Sequence, residues 1–362
     1  MKVLMIARST LFSSPGGDTT QIEMTAKYLR ELGVQVDIKL SHETLRYEDY
    51  DLLHFFNIIR PDDILPHIEK TKIPFAVSTI FVDYYEYEKN NRQGLLKIVN
   101  TIFERNQIEY LKTVARSVKN GDKIKSHYFL IHGQKRSVQY IAERSSVLLP
   151  NSHSEYNRFV ALYGVKQRYQ KVVNAIDPAY FGQSVEPNMT YKNHVLCVGR
   201  IEGRKNQLNL IKALVDSGLH LTIIGKPSPN HIGYYEQCQA LAQIAGNVHF
   251  IQHIDHKELA AIYKAAKVHV LPSWFETTGL SSLEAGAMGC NVVVTRKGDT
   301  EEYFKNMAYY CDPDDVNSIR QAVQKAHADP VHPKLQEYIF SNYTWRDAAE
   351  QTLQAYQQVV GK

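Results

Sequence analysis

Two short segments of this 362-residue chain gather side chains suited to binding a charged, hydroxylated molecule. One runs Leu271-Pro272-Ser273-Trp274-Phe275-Glu276-Thr277-Thr278-Gly279-Leu280-Ser281-Ser282-Leu283-Glu284-Ala285. An apolar strand ends at Leu271 and a helix begins near Gly279, so the loop between them lies where open parallel sheets take ligands. Backbone N–H groups of Thr278, Gly279 and Leu280 there can meet an anion, aided by the helix dipole. Gly279 carries no side chain where a phosphate must come close. Glu284 falls about five residues into the helix, roughly 7 Å from its start. A carboxylate at that distance accepts both hydroxyls of a ribose, while Glu276 stays in the loop beside the phosphate end. Two acids repel an anion unless they bind hydroxyls or a developing positive charge. That combination points to a nucleotide bearing a sugar.

The other segment is Val198-Gly199-Arg200-Ile201-Glu202-Gly203-Arg204-Lys205-Asn206, again between a strand and a helix. Arg200 with its fork and Lys205 as a point charge can together neutralise a diphosphate. With no metal invoked, these two cations offset the charge of a departing nucleoside diphosphate. The segment matches neither GxGxxG nor GxxxxGK[ST], which argues against dehydrogenase and P-loop readings. The Asp-x-Asp in Asp312-Pro313-Asp314-Asp315 precedes Val316 and reads as helix capping.

These loops need parallel sheets to hold them. In the first half, Val3–Ala7, Val34–Ile38, Asp51–Phe56, Phe75–Thr79 and Ser146–Leu149 read as strands, with a helix over Thr20–Leu32. Arg92 to Arg144 reads as mostly helical, broken near Asn120-Gly121. In the second half, strands are expected at Val195–Val198, Leu221–Ile224, Val248–Ile251, Val268–Leu271, Val292–Thr295 and Tyr309–Cys311. Helices are expected at Gln207–Val215, Tyr235–Ala245, His256–Ala266, Leu280–Met288 and Val316–Ala326. Such alternation means α/β units with parallel sheets and helices on both faces. The expected division is an N-terminal Rossmann-like domain over 1–181, a polar linker over 182–193 and a second Rossmann-like domain over 194–340. A C-terminal helix over 341–362 is expected to pack back on the first domain.

At 44% apolar and 22% charged residues the chain can bury two cores. No stretch of about 18 apolar residues suggests a membrane span, and the apolar start that stops at Arg8 is too short for a signal peptide. Cys197, Cys238, Cys290 and Cys311 stand singly, against a zinc site or a disulfide framework. A reducing, cytoplasmic setting is the expectation. The net charge of +4 is too small to imply nucleic acid. Between Lys89 and Arg144, however, 12 basic residues face 4 acidic ones. That stretch is a solvated helical face or a surface for an anionic membrane or lipid-diphosphate acceptor, and a nucleic-acid surface is disfavoured because no recognisable module is present.

With these residues in view, the sequence resembles the GT-B glycosyltransferases of the retaining family 4 (glycosyl transferases group 1). The resemblance rests on Gly199-Arg200 through Lys205-Asn206, Pro272-Ser273, the Glu276-x7-Glu284 pair, Gly289, and Glu301-Glu302 after Gly298. Asn174-Ala175-Ile176-Asp177 resembles the family's Asn-Gly-Ile-Asp. It implies two facing Rossmann-like domains and transfer of a sugar from a nucleotide-diphosphate sugar to a glycan or lipid-linked acceptor in surface-polysaccharide synthesis. It further implies that Arg200 and Lys205 hold the diphosphate with the backbone of Thr278, Gly279 and Leu280, that Glu284 binds the ribose, and that Glu276 touches donor-sugar hydroxyls. Gly16 and Gly17 match glycines that let the first loop approach the donor. No metal or resident cofactor is implied, and a UDP-sugar is favoured over a GDP-sugar.

The family's His after the fourth strand is absent; Ile80 and Phe81 stand there, with Asp83 the nearest polar side chain. Alternatives remain open: a silent nucleotide-sugar-binding subunit, a GT-B-fold epimerase, or an inverting transferase using Asp83 or His54 as base. The expected location is the cytoplasm, with a peripheral position on the inner face of the membrane through 89–144.

Overall fold

Continuous apolar runs form most strands of both sheets, because parallel strands are covered on both faces; the edge strand Gln35–Leu40 alternates instead. The computed structural model describes residues 1–91, 105–120, 124–182 and 184–361. The chain divides into two α/β units: Met1–Asn174 joined by the helix Trp345–Val360, and Ala175–Thr344.

The first unit has five parallel strands, β1 (Lys2–Ala7), β2 (Gln35–Leu40), β3 (Leu52–Phe56), β4 (Phe75–Ser78) and β5 (Val147–Leu149). Their order is β2-β1-β3-β4-β5. Strand β1 is sandwiched in register between Val36 and Leu52, both opposite Val3. The order reverses between β1 and β3, so the loops leaving those two strands flank the ligand-facing crevice of this sheet.

Arg8 immediately follows β1 and uses all five of its N–H donors on its own loop. Nε and Nη2 donate to the Asp18 carboxylate at 2.6 and 3.1 Å. Nη1 donates to the carbonyl and hydroxyl of Thr10 at 2.7 and 2.8 Å, and Nη2 also reaches the Ser14 carbonyl at 2.9 Å. Burial pushes the Asp18 carboxyl up, but the guanidinium outweighs it and holds it below the usual range. One side chain therefore closes the loop that ends in Gly16 and Gly17.

A second buried clamp sits at the end of β4. Glu155 is wholly buried; it accepts the Thr79 hydroxyl, the Phe81 N–H at 2.7 Å and the Asn151 N–H at 2.8 Å. Between those partners Ile80 is held at φ 42°, a conformation a β-branched residue rarely adopts.

The helix Trp345–Val360 belongs to the first unit because it completes that unit's core. It packs on the helix Gly17–Glu31 and buries Trp345, Ala348, Thr352 and Tyr356. The Tyr356 hydroxyl meets Nδ1 of buried His54 at 2.6 Å, and His54 Nε2 meets the Ser78 hydroxyl at 2.9 Å. Both ring nitrogens of His54 are thus occupied by structural partners. Asp83 is bound by Arg105 at 2.8 Å and caps the Tyr85 N–H at 3.0 Å. Neither residue offers an open base.

The second unit has six parallel strands, β6 (Val195–Val198), β7 (Leu221–Ile224), β8 (Val248–Ile251), β9 (Val268–Leu271), β10 (Asn291–Thr295) and β11 (Tyr309–Cys311), interleaved with helices. Their order is β11-β10-β9-β6-β7-β8, so this sheet reverses between β6 and β9. Among the described residues no helix is long and apolar enough to cross a membrane.

Several expectations change. The division falls after Asn174 rather than at 181, because Ile176 bridges to Thr344 and its N–H donates to the Tyr343 carbonyl at 2.9 Å. The stretch expected as a free linker is strapped to the second unit, with the Asn188 N–H donating to the Ala261 carbonyl at 2.9 Å. The return to the first unit comes at Trp345, not 341, since Leu335–Asn342 is a separate helix of the second unit. The helix His153–Tyr163 was not expected, although Ser152 caps it and Gly164 ends it. Of the basic stretch, helices Arg105–Asn120 and His127–Arg144 are described, the latter also kinked at Gly133; residues 92–104 and 121–123 lie outside the described residues.

Burial holds three histidines neutral: His54 down to about 3, His67 to about 4 and His269 to about 3. Unfolded histidine titrates near 6.5, so between these values the unfolded chain binds protons that the native chain does not. Stability is complete above about pH 6.5 and falls as pH drops toward 3, by at most about 1.4 kcal/mol per pH unit and histidine. Urea midpoints should therefore decline steadily from pH 7 to pH 4.5; a flat midpoint contradicts this reading.

Candidate functional site

Strands β6 and β9 are neighbours at the reversal point of the second sheet, so the two loops singled out by sequence leave it side by side. The structure joins them through one ion pair. Lys205 Nζ donates to Glu276 Oε1 at 2.5 Å, with the carboxylate side chain 8% exposed and the ammonium 20%. Lys205 is therefore not the unshared cation that the sequence suggested. Its charge is divided between Glu276 and whatever enters the crevice.

The neighbouring backbone is stitched around this pair. Asn206 is buried at φ 63° and donates from Nδ2 to the carbonyls of Pro272 at 3.0 Å and Pro313 at 2.8 Å. The Trp274 N–H donates to the Arg204 carbonyl at 3.0 Å. On the far side of Glu276, its N–H donates to the Lys297 carbonyl and its own carbonyl accepts from the Asp299 N–H. Gly298 lies against that backbone at φ 116°, and a Cβ there would stand 1.9 Å from the Glu276 carbonyl oxygen. Only glycine allows this approach.

Arg200 remains the more open cation, with its side chain 45% exposed and Nη2 3.9 Å from Glu202. Glu202 was not expected to matter. It is buried, binds Arg204 Nη2 through both oxygens at 3.0 Å and accepts the Ser228 hydroxyl at 3.1 Å. Burial pushes its carboxyl up, but Arg204, Arg200 and Lys205 outweigh that and hold it below the usual range. Its role is to orient a cationic loop.

Gly279 caps the helix Leu280–Ala287 at φ 71°, where a glycine costs no strain. The N–H groups of Gly279, Leu280 and Ser281 donate to no described residue, as expected at a helix start. Thr278 beside them is buried. Glu284, on the same helix, keeps part of its surface open. Burial nevertheless pushes its carboxyl up to about 8, opposed by the buried Tyr263 hydroxyl, which has no other partner among the described residues. Tyr263 is a residue that sequence reading missed, as is His269, 5.8 Å from it ring to ring. Neither carries a local signal, because each matters only once the sheet order is known.

Arg200, Lys205, Glu276, Thr278, Gly279, Leu280 and Glu284 thus all belong to the second unit, around its reversal point. Gly16 and Gly17 belong to the first unit, where the Gly16 N–H donates to the Thr19 hydroxyl at 3.0 Å and starts the helix Gly17–Glu31. Gly16 has an extended backbone that any residue adopts. Its smallness, not its conformation, is what distinguishes it.

Residues 183–344 match the family model "Glycosyl transferases group 1". That match covers less than half of the chain. The glycogen synthase of Mycobacterium tuberculosis is 28% identical over 230 residues, 60% of this chain and 55% of that protein. A D-inositol 3-phosphate glycosyltransferase of Pseudarthrobacter chlorophenolicus is 33% identical over 176 residues, 44% of this chain and 41% of that one. The chain spans about half the length of the curated relatives it matches. The fold is that of GT-B glycosyltransferases. The sucrose-phosphate synthase of Thermosynechococcus elongatus superposes with a TM-score of 0.76 at 16% identity, over 100% of this chain and 99% of that one. Anabaena HepE, solved in complex with UDP and glucose, superposes with a TM-score of 0.70 at 14% identity, over 99% and 100%.

Gly298→Ala should cost about 2–4 kcal/mol of stability in urea unfolding, since the Glu276 loop must move to admit the methyl. An unchanged midpoint would show that the loop yields freely.

Proposed function

We propose that this protein is a retaining glycosyltransferase of family 4, moving a sugar from a nucleotide-diphosphate sugar to a glycan or lipid-linked acceptor in surface-polysaccharide synthesis. The observation that carries this is the meeting, at one sheet reversal, of Arg200, the Lys205–Glu276 pair and the N–H groups of Gly279 and Leu280, which have no partner among the described residues. An anion with hydroxyls beside it suits that combination of fixed positive dipoles and acceptor oxygens.

In this reading Arg200 and Lys205 hold the diphosphate together with the backbone at Thr278, Gly279 and Leu280. Glu284 accepts the ribose hydroxyls, Glu276 accepts donor-sugar hydroxyls, and Gly16 and Gly17 leave room for the donor at the first loop. The bond from the anomeric carbon to the diphosphate breaks, and the bond to the acceptor oxygen forms on the same face. The acceptor's proton passes to the departing phosphate. Cationic side chains rather than a metal offset the leaving charge, and no resident cofactor is used. A UDP-sugar is the favoured donor, in keeping with the ligand named for HepE, and the cytoplasm is the proposed setting.

Ligand-observed NMR against UDP- and GDP-sugars, followed over hours, tests this. One donor should bind selectively and slowly release its sugar in the α configuration from an α-linked donor. Absence of any nucleotide binding would defeat the reading, and binding without turnover would leave a silent binding subunit.

Two further outcomes are expected. Lys205→Ala should weaken nucleoside-diphosphate binding by about 1.5–3 kcal/mol, the scale of a charge-assisted hydrogen bond; unchanged affinity removes Lys205 from the site. Glu284, at about 8 when empty, must ionise to accept two ribose hydroxyls. Hydroxyl donors favour the charged form, so binding at pH 7 should release a proton and affinity should rise with pH up to about 8. Calorimetry in buffers of different ionisation enthalpy should show that release, and Glu284→Gln should abolish it.

A further inference from the structure

The two sheets end at β2, β5, β8 and β11, and three of these edges are covered or charged. A following segment covers β5: the Leu148 N–H donates to the Arg168 carbonyl at 2.9 Å, and the Leu148 carbonyl accepts the Gln170 N–H at 3.0 Å. Strand β2 carries Asp37 and Lys39, and its Val36 carbonyl accepts two N–H groups of Arg30, at 2.7 and 3.1 Å. At β11 the Arg296 guanidinium lies over the Tyr310 ring at 4.5 Å, and Asp312 follows the strand directly. Charges and covering segments are the usual means of keeping a sheet edge from pairing with another chain.

Strand β8 uses neither. It pairs with β7 on one side, and no bridge to a described residue covers the other. The Leu221 N–H donates to the Asn247 carbonyl at 2.9 Å and the Gly225 N–H to the Ile251 carbonyl at 2.8 Å. Odd-numbered residues of β8 therefore face β7, and the backbone N–H and C=O groups of Val248 and Phe250 point outward. The surrounding sequence is also without charge: residues 237–254 contain no Lys, Arg, Asp or Glu.

That span covers the latter part of the helix Ile232–Ala245 as well as β8. Between helix and strand lies an open hollow of about 290 Å³, lined by Gln239, Ala242, Gln243, Gly246, Val248 and Phe250. Ile244, next to Gln243 in the chain, is 80% exposed. One exposed isoleucine is ordinary. Here it shares a charge-free patch with an open ladder and a hollow. A two-fold contact sets such a patch against itself, so charges near the axis would face their like, and an uncharged surface avoids that cost. The same axis runs two β8 strands antiparallel, which gives each outward N–H a carbonyl of the other copy.

We propose that a second copy of this chain docks on this edge, the two β8 strands pairing antiparallel and Ile244 of each copy seated against the hollow of the other. Strand β7 separates the edge from β6 and β9, so Ile244 lies outside the candidate site. The pairing stands on the second unit alone and does not depend on the glycosyltransferase reading.

Sedimentation velocity of the whole protein from about 1 to about 100 μM, where micromolar self-association shows, tests this. A species of twice the chain's mass should appear and grow with concentration. Ile244→Lys should stay monomeric throughout with wild-type circular dichroism, and Ile244→Val should keep the dimer. Hydrogen exchange gives a comparison that needs no variant: the Val248 and Phe250 amides of the wild type should exchange about tenfold or more slowly at the top of that range than at the bottom. A wild type that is monomeric at every concentration, a dimer that survives Ile244→Lys, or a dimer whose Val248 and Phe250 amides exchange as fast as the monomer's overturns the proposal.

Discussion

The second unit is organised around an ammonium and a carboxylate that are both largely withdrawn from water. Removing two charges from solvent is costly, and their attraction repays it only when geometry is tight and neighbouring groups are satisfied. Lys205 and Glu276 meet that condition because the loops carrying them cannot drift apart. Asn206 holds the Pro272 and Pro313 carbonyls, Arg204 accepts the Trp274 N–H through its carbonyl, and Gly298 lets a third loop close over the backbone of Glu276. Loss of either charged partner would leave the other buried and uncompensated. The pair therefore fixes the spacing of the β6 and β9 loops, and with it the positions of Arg200 and of the helix start at Gly279.

The first unit solves a similar problem differently. Its ligand-facing loops are held by single groups with every valence in use: Arg8 spends five donors on the loop after β1, and Glu155 pins the loop after β4. The strain at Ile80 is tolerated because Glu155 fixes the residues on both sides of it. Rigid loops of this kind present a fixed surface to a ligand, so little ordering entropy is lost when one binds.

Much of this was legible in the chain before folding. All six strands of the second sheet lie within a residue of where the apolar runs put them, because a strand buried on both faces has no reason to alternate. The helix His153–Tyr163 was legible too, through the Ser152-x-x-Glu155 start and the Gly164 stop, and was passed over. What could not be read were pairings across space. Lys205 and Glu276 are 71 residues apart, and His54 and Tyr356 are 302 apart. Their meeting depends on strand order and on a C-terminal helix that crosses back, neither of which leaves a trace in local periodicity. The same limit explains the displaced domain division. The polar composition of 182–193 suggests a linker, whereas Ile176 pairing with Thr344 decides where the units part.

Two carboxylates beside an intended anion site posed a difficulty at the level of sequence, since like charges repel. The folded chain removes it twice over, by different means. Glu276 is neutralised by an ion pair, and its charge is cancelled at 2.5 Å by Lys205. Glu284 has no cationic partner among the described residues; burial moves its carboxyl up to about 8 against the lowering effect of the Tyr263 phenol, so at neutral pH it is mostly protonated. The crevice of the second unit is then less negative than its composition, and Arg200 dominates its field together with the N–H groups of Gly279 and Leu280, which have no partner among the described residues. On the proposed reading each acid still offers a lone pair to a hydroxyl, and Glu284 regains its charge when hydroxyl donors stabilise it, so the affinity for a hydroxylated anion follows from desolvation and pairing rather than from the number of acids present.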